Sequence, residues 1–108
     1  MLLEPDRPDT LYGLGSVLAQ QGDAAGAEQA MRLAVQAQYH LPFAHQRLGT
    51  LLAEQGRWPE AMAALETALG QKLDWPEVES QLHRVRAALT QRVAKQAMEA
   101  AEMDRNAG

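Results

Sequence analysis

Residues 8–41, PDTLYGLGSVLAQQGDAAGAEQAMRLAVQAQYHL, are followed by residues 42–75, PFAHQRLGTLLAEQGRWPEAMAALETALGQKLDW, and the two stretches align without a gap. Ten of the 34 aligned positions are identical, and most of these hold Gly, Ala or Leu. Pro76 then stands one period after Pro42, and Leu82 repeats the leucine at position 48. The pattern therefore begins a third time, and a fixed period of this length predicts a repeat protein.

Each repeat is predicted to be two short antiparallel helices, because apolar residues recur at spacings of three and four. In the first repeat the expected buried positions are Leu11, Leu14, Val17 and Leu18 in one helix, then Ala27, Ala30, Met31, Ala34 and Val35 in the other. In the second repeat they are Leu48, Leu51 and Leu52, then Ala61, Leu65, Ala68 and Leu69. Gly22 ends the first helix and Asp23 caps the next. Gly15 and Ala27 leave room for the two backbones to approach closely.

Composition agrees with an all-α chain and excludes several other classes. The 108 residues include 20 Ala and 15 Leu but only 5 Val and no Ile, which favours packed helices over strands. The chain contains no Cys, so disulfides and cysteine-ligated metals are excluded. No apolar run is long enough to cross a membrane, and none has the form of a signal peptide. We expect a soluble domain without membrane contact, and a cytoplasmic location is favoured.

Both repeats resemble the tetratricopeptide repeat (TPR) family, whose period is also 34 residues. The resemblance rests on Leu14, Gly15, Leu18, Gly22, Ala27, Met31 and Ala34, and on Leu48, Gly49, Leu52, Gly56, Ala61, Leu65 and Ala68. Leu11 and His45 stand where the family often has Trp, and Tyr39 and Leu73 stand where it often has Pro. The resemblance implies an α-solenoid of two helix pairs.

The sequence divides as repeats at 8–41 and 42–75, followed by a capping helix over 76–103 and a disordered tail over 104–108. His83 and Thr90 replace the glycines of the earlier repeats, so no break is expected in the capping helix. Its apolar stripe is Val78, Leu82, Val85, Leu89 and Val93. Residues 1–7 look like the end of a preceding repeat, which suggests a fragment of a longer array. The alternative is a native start with an extended arm.

The resemblance implies a concave groove lined by the first helix of each repeat. The positions it assigns to that groove are Asp9, Tyr12, Ser16 and Gln20, then Phe43, Gln46, Thr50 and Glu54, then Glu77, Ser80 and Arg84. Tyr12 and Phe43 are the expected anchors for a ligand, because aromatic side chains contribute contact area at low entropic cost. Family members that clamp a chaperone's C-terminal carboxylate use groove Lys and Asn residues. The only Asn here is Asn106, so that activity is not expected.

Catalytic chemistry is not indicated anywhere in the sequence, so we expect no enzyme activity, no cofactor and no metal. Glu79 and His83 share a helix face but have no third ligand nearby. Residues 84–95 hold four basic residues and no acid, on a chain of net charge −4. That strip is expected to be a solvated face rather than a nucleic-acid site, since aromatics make up only 5% of the chain.

The sequence is compatible with two functions. One is a module that binds a protein or peptide in the concave groove. The other is a structural or oligomerisation appendage of a larger protein, which includes the case of an enzyme. An uncovered N-terminal face of Leu2, Leu3, Leu11 and Leu18 also predicts a homodimer, either symmetric through this end or by exchange of the terminal helix. The alternative is a monomer whose Leu2-Leu3 arm folds back over the same face.

Overall fold

The structure is a computed structural model that describes residues 7–107, and these form five α-helices. The helices are α1 (Pro8–Gln20), α2 (Ala24–Ala37), α3 (Pro42–Glu54), α4 (Trp58–Gln71) and α5 (Pro76–Ala107). No strand occurs within the described range. The most extensive helix contacts are α1 with α2 and α3 with α4, and each pair stacks on the next through α2 with α3 and α4 with α5. The chain is an all-α solenoid of two helix pairs and a long final helix, as predicted.

In both helix pairs, the turn that connects the two helices contains a glycine. Gly22 and Gly56 have φ of +84° and +73°, a backbone conformation that side chains with a Cβ rarely adopt. The Asp23 carboxylate then accepts a hydrogen bond of 2.9 Å from the backbone N–H of Gly26, which confirms its predicted role as the cap of α2. In α3 and α4 a proline occupies the first turn, where it displaces no helical hydrogen bond.

The core consists mainly of small and medium apolar residues from all five helices. In α2 the buried residues are Ala27, Ala30, Met31 and Ala34, and in α4 they are Ala61, Ala64, Leu65 and Ala68. Leu11 and Gly15 are buried in α1. Leu14 and Val17 are 51% and 49% exposed, so the predicted buried face of α1 was wrong at these two positions. The three-residue spacing of Leu14 and Val17 places both on one face of α1, but no described helix covers that face.

The final helix is buried over its first half only. Val78, Leu82 and Val85 are buried, whereas Val93 is 56% exposed, so the predicted stripe ends before it. Every residue from 90 to 106 is exposed, and the molecule measures 70 × 29 × 21 Å because this half projects from the body. The helix continues past the predicted end at 103 to Ala107, so residues 104–107 are helical rather than disordered. The predicted stub at 1–7 lies outside the described residues except for Arg7, and so does Gly108.

A set of ion pairs links α2 to α4 on the outer surface. Arg57 donates to Glu28 at 2.7 Å and to Glu60 at 2.7 Å, and Arg32 also bonds to both carboxylates. Burial alone would raise the pKa of Glu28, but hydrogen bonds from Arg32, Arg57 and Gln55 outweigh it and lower that pKa. The pKa of Glu60 is lowered by its bond from Arg57.

None of the described helices is both long and apolar enough to cross a membrane.

Candidate functional site

Two depressions lie where successive helix pairs stack, one between α1 and α3 and the other between α3 and α5. The α1–α3 groove has a volume of about 310 Å³ and is lined by Ala19, Gln20, Gly22, Ala24, Arg47, Thr50, Leu51 and Glu54. The α3–α5 groove has a volume of about 280 Å³ and is lined by Thr50, Ala53, Glu54, Trp58, Leu65, Gln81, Arg84 and Val85.

The two grooves are the same feature repeated 34 residues apart. Ala19, Gln20 and Ala24 in the first correspond to Ala53, Glu54 and Trp58 in the second. Arg47, Thr50 and Leu51 correspond in the same way to Gln81, Arg84 and Val85. Thr50 and Glu54 line both grooves, so the two grooves are neighbours along α3. Stacking of equivalent helix pairs therefore produces two neighbouring grooves with a repeated lining.

A short hydrogen-bonded ladder joins α3 to α5 beside this surface. The Gln46 amide donates to Gln81 Oε1 at 3.1 Å, and the Gln81 amide donates to Thr50 Oγ1 at 3.2 Å. Thr50 Oγ1 in turn donates to the backbone carbonyl of Gln46 at 3.1 Å. All three side chains are half-buried, so their orientation is fixed while one edge stays open to solvent.

The two grooves differ in their chemistry. The α3–α5 groove has an apolar floor of half-buried Trp58 and buried Leu65 and Val85. The α1–α3 groove has Gly22 and Ala24 at the positions of Gly56 and Trp58, so it lacks the large aromatic wall. The lining of the α1–α3 groove includes Arg47 and that of the α3–α5 groove includes Arg84, while the exposed Glu54 belongs to both linings.

The predicted groove residues divide into three sets. Gln20, Thr50, Glu54 and Arg84 line the grooves, and Gln46 lies in the ladder beside them. Asp9, Tyr12, Ser16, Phe43 and Ser80 line neither groove, and the same holds for Glu77. Asp9, Tyr12, Phe43, Glu77 and Ser80 fall within the first five residues of α1, α3 and α5, whereas the groove linings begin farther along these helices. Ser16 lies in the second half of α1, but it is not part of either lining.

The two predicted aromatic anchors have different surroundings. Tyr12 is half-buried and packs against the core, and its backbone carbonyl accepts the Ser16 hydroxyl at 3.0 Å. The Phe43 ring packs edge-on against buried Trp75, with ring centres 5.1 Å apart. The Lys72 ammonium lies 4.4 Å from the centre of the Trp75 ring and 5.5 Å from that of Phe43. Phe43 is therefore held at the α4–α5 junction, outside both grooves.

Arg47, Gln81 and Trp58 line the grooves but were not predicted to do so. Arg47 and Gln81 occupy one repeat position, which is Gly13 in the first repeat. The positions carried over from the TPR resemblance fall on the neighbouring residues Gln46 and Ser80. A signal existed in the sequence, because both residues are long and polar at one position of adjacent repeats.

The contacts of the histidines and of the basic strip do not form a metal site among the described residues. His45 is buried, with Nε2 lying 2.8 Å from the Tyr39 carbonyl oxygen. Glu79 and His83 are exposed, and no cluster of three metal-ligating side chains occurs among the described residues. Within the basic strip, Arg84 lines a groove and Arg86 lies 3.7 Å from Glu66.

No family model matches the chain, and no curated protein matches it. Among solved structures, one of MamA superposes with a TM-score of 0.68 at 16% identity, covering 92% of this chain and 64% of that chain. A second MamA structure gives 0.66 at 17% identity, covering 92% of this chain and 60% of that one. The chain thus spans less than two thirds of the MamA chains that it matches. At these identities the likeness shows the fold, and the fold is a TPR-like all-α solenoid.

Proposed function

We propose that the protein is a non-catalytic interaction module, which binds a peptide segment of a partner protein along the two neighbouring grooves. The observation that carries this proposal is the sharing of Thr50 and Glu54 by two repeat-equivalent grooves. An elongated surface with a repeated lining matches an elongated ligand better than a compact one. The TPR-like fold supports a role in protein–protein interaction.

The groove chemistry suits a peptide with one apolar side chain. The floor of Trp58, Leu65 and Val85 offers apolar contact, and such contacts supply most of the affinity of small interfaces. The carboxamides of Gln46 and Gln81 both donate and accept, as a peptide backbone does. Arg84 and Glu54 at the rim would select the charges on either side of the apolar residue.

The test begins with a phage-displayed library of random peptides, selected on the wild-type protein. A selected peptide is then titrated by fluorescence anisotropy against Arg84→Glu and Gln81→Ala. We expect each variant to weaken binding by about tenfold, which is the effect of losing one good polar contact. Arg92→Glu is the matched control, because it makes the same charge change on the same helix beyond the groove.

Two results would contradict the proposal. One is a library that yields no peptide above background. The other is a set of selected peptides that bind wild type and both groove variants equally.

A structural or oligomerisation role is the second candidate, and the exposed Leu14 and Val17 favour it. Two large apolar side chains on one helix face are a usual mark of a protein contact. In that case Leu14→Ser would change the association state of the protein and leave peptide binding intact.

A further inference from the structure

The outer face of α1, formed by Leu14 and Val17, is exposed although its repeat equivalents are buried. The equivalent residues are Leu48 and Leu51 in α3 and Leu82 and Val85 in α5, all of them core residues. In those two helices the covering element is the second helix of the preceding pair, since α2 packs on α3 and α4 packs on α5. Within residues 7–107 no helix precedes α1, and Leu14 and Val17 are about half exposed there.

The helix that covers α3 has an identifiable sequence. Ala27 and Met31 of α2 are completely buried, lie close to Gly15 of α1, and belong to the same core cluster as Leu48 and Leu51. A helix that covers the outer face of α1 in the same way would present an alanine and a methionine or leucine four residues apart.

The projecting half of α5 carries that sequence. Residues 94–101, AKQAMEAA, match residues 27–34, AEQAMRLA, at five of eight positions. Ala94 and Met98 correspond to Ala27 and Met31. Met31 is 0% exposed, whereas Met98 is 68% exposed. The segment therefore has the residues of a buried second helix but lies in solvent.

The first half of α5 is unsuited to receive this segment from its own chain. At the position of Gly49, where a Cβ would lie 2.7 Å from the leucine of the partner helix, α5 has His83. The positions of His45 and Leu52 hold the exposed charged residues Glu79 and Arg86. In addition, α5 continues without interruption through residues 90–93, where a turn would be needed.

We infer that the outer face of α1 binds residues 94–101 of a second copy of this chain. Ala94 and Met98 of one copy lie against Leu14 and Val17 of the other, and so join them in one apolar cluster as Ala27 and Met31 join Leu48 and Leu51. The contact joins two different surfaces of the two copies, so it differs from a symmetric pairing of two α1 faces.

Charge at the edge of this contact is also complementary. Between α2 and α4 the closest ion pair joins Glu28 to Arg57 at 2.7 Å. In the inferred contact the residue equivalent to Glu28 is Lys95, and the residue equivalent to Arg57 is Asp23. The signs are exchanged, but the pair remains attractive. Lys95→Glu would place two carboxylates together and weaken association, most strongly at low salt.

The test measures the mass of the full chain by light scattering and sedimentation over a wide concentration range. Wild type is expected to rise above the 11.8 kDa monomer as concentration increases. Leu14→Glu and Met98→Glu should each hold the mass at the monomer value. Both side chains are exposed, so the fold is retained, which circular dichroism checks. Met103→Glu is the matched control, since it is 73% exposed on the same helix outside the segment, and it should associate like wild type.

Mixing the two variants separates this contact from a symmetric one. Leu14→Glu keeps an intact α5 segment, and Met98→Glu keeps an intact α1 face, so an equimolar mixture should form a heterodimer that neither forms alone. Because the chain has no cysteine, Leu14→Cys and Met98→Cys report the same contact by oxidation. We expect the mixed disulfide to form in excess over either homodimer.

Three results would overturn the inference. They are a wild-type mass that stays at the monomer value over the whole range, association that survives Met98→Glu, and a mixture in which cross-linking joins Leu14→Cys chains mainly to each other. The last result would indicate a symmetric dimer through α1.

Discussion

Gly49 of α3 lies so close to Leu65 of α4 that a Cβ on the glycine would stand 2.7 Å from the leucine Cγ. The first repeat has the same contact, because a Cβ on Gly15 would stand 2.8 Å from the Met31 Cε. Each close contact sets the distance between the two helices of a pair, and the paired helices in turn set the spacing of the grooves.

The first prediction is that Gly49→Leu destabilises the fold. The added side chain has no space between α3 and α4, and overpacking of this kind costs about 1–3 kcal/mol. Thermal unfolding followed by circular dichroism should show a midpoint several degrees below wild type. Ala61→Leu, at a position with no exposed surface, should behave similarly.

Gly13→Ala is the control for that experiment. Gly13 also lies within a helix, but a Cβ there would meet no atom within 4 Å. Alanine should stabilise α1 by up to about 1 kcal/mol, because it loses less backbone entropy on folding. Equal midpoints for Gly49→Leu and wild type would mean that the helix pairs do not depend on this close contact.

The second prediction concerns the two halves of α5. At a concentration where wild type is monomeric, deletion of residues after Ala94 should leave unfolding cooperative at nearly the same midpoint, because residues 90–106 are exposed and bury little surface within one chain. Deletion of everything after Trp75 removes Val78, Leu82 and Val85 from the core and should cause aggregation. The measurements are thermal unfolding and size-exclusion chromatography. A shorter deletion that proves the more damaging would show that the projecting half contributes to the fold.

The repeat period alone predicted most of this architecture. Helix pairs, glycine turns and the Asp23 cap follow from local residue choices, and local choices determine helix ends. The burial of Leu14 and Val17 was predicted wrongly, because periodicity shows that a helix has an apolar face but does not show which element covers it. The end of α5 was set too early for a related reason, since residues 104–107 have helix-compatible side chains but no apolar stripe.

The grooves were harder to predict than the helices. Thr50, Glu54 and Arg84 were assigned from the TPR resemblance, and they do line the grooves. Arg47 and Gln81 were missed because a shift of one residue along a helix rotates a side chain by about 100°, which moves it to another face. The groove exists only between stacked pairs, so its lining depends on the angle at which the pairs stack.

The third prediction is a pH dependence of stability through Glu28. Its pKa is lowered in the folded protein, so the carboxylate stabilises the fold fully above the ordinary Glu value of about 4.3. That contribution is lost as pH falls through the lower, folded-state pKa. Glu28→Gln should therefore be less stable than wild type at neutral pH, and the difference should shrink in acid and disappear once the pH is below the folded-state pKa of Glu28.

Urea denaturation at several pH values checks this prediction. Glu102→Gln is the control, since Glu102 is exposed and forms no ion pair in the described part of the chain. It should match wild type throughout. A stability difference for Glu28→Gln that stays constant from neutral to acidic pH would show that the ion pairs with Arg32 and Arg57 contribute nothing.

The last prediction separates a structural role of Phe43 from a role in binding. The Phe43 ring lies on Trp75, which is buried at the junction of α4 and α5, and it lines neither groove. Phe43→Ala should lower stability by about 1 kcal/mol, the usual value of an aromatic pair together with some lost apolar contact. Affinity for a peptide selected on wild type should stay within about twofold, because that contact lies outside the groove.

Arg84→Glu should have the opposite effects, with an unchanged stability and a reduced affinity for the same peptide. Thermal unfolding and anisotropy titration measure the two effects on the same samples. A large loss of affinity in Phe43→Ala without loss of stability would make Phe43 an anchor and extend the binding surface toward the N-terminal end of α3.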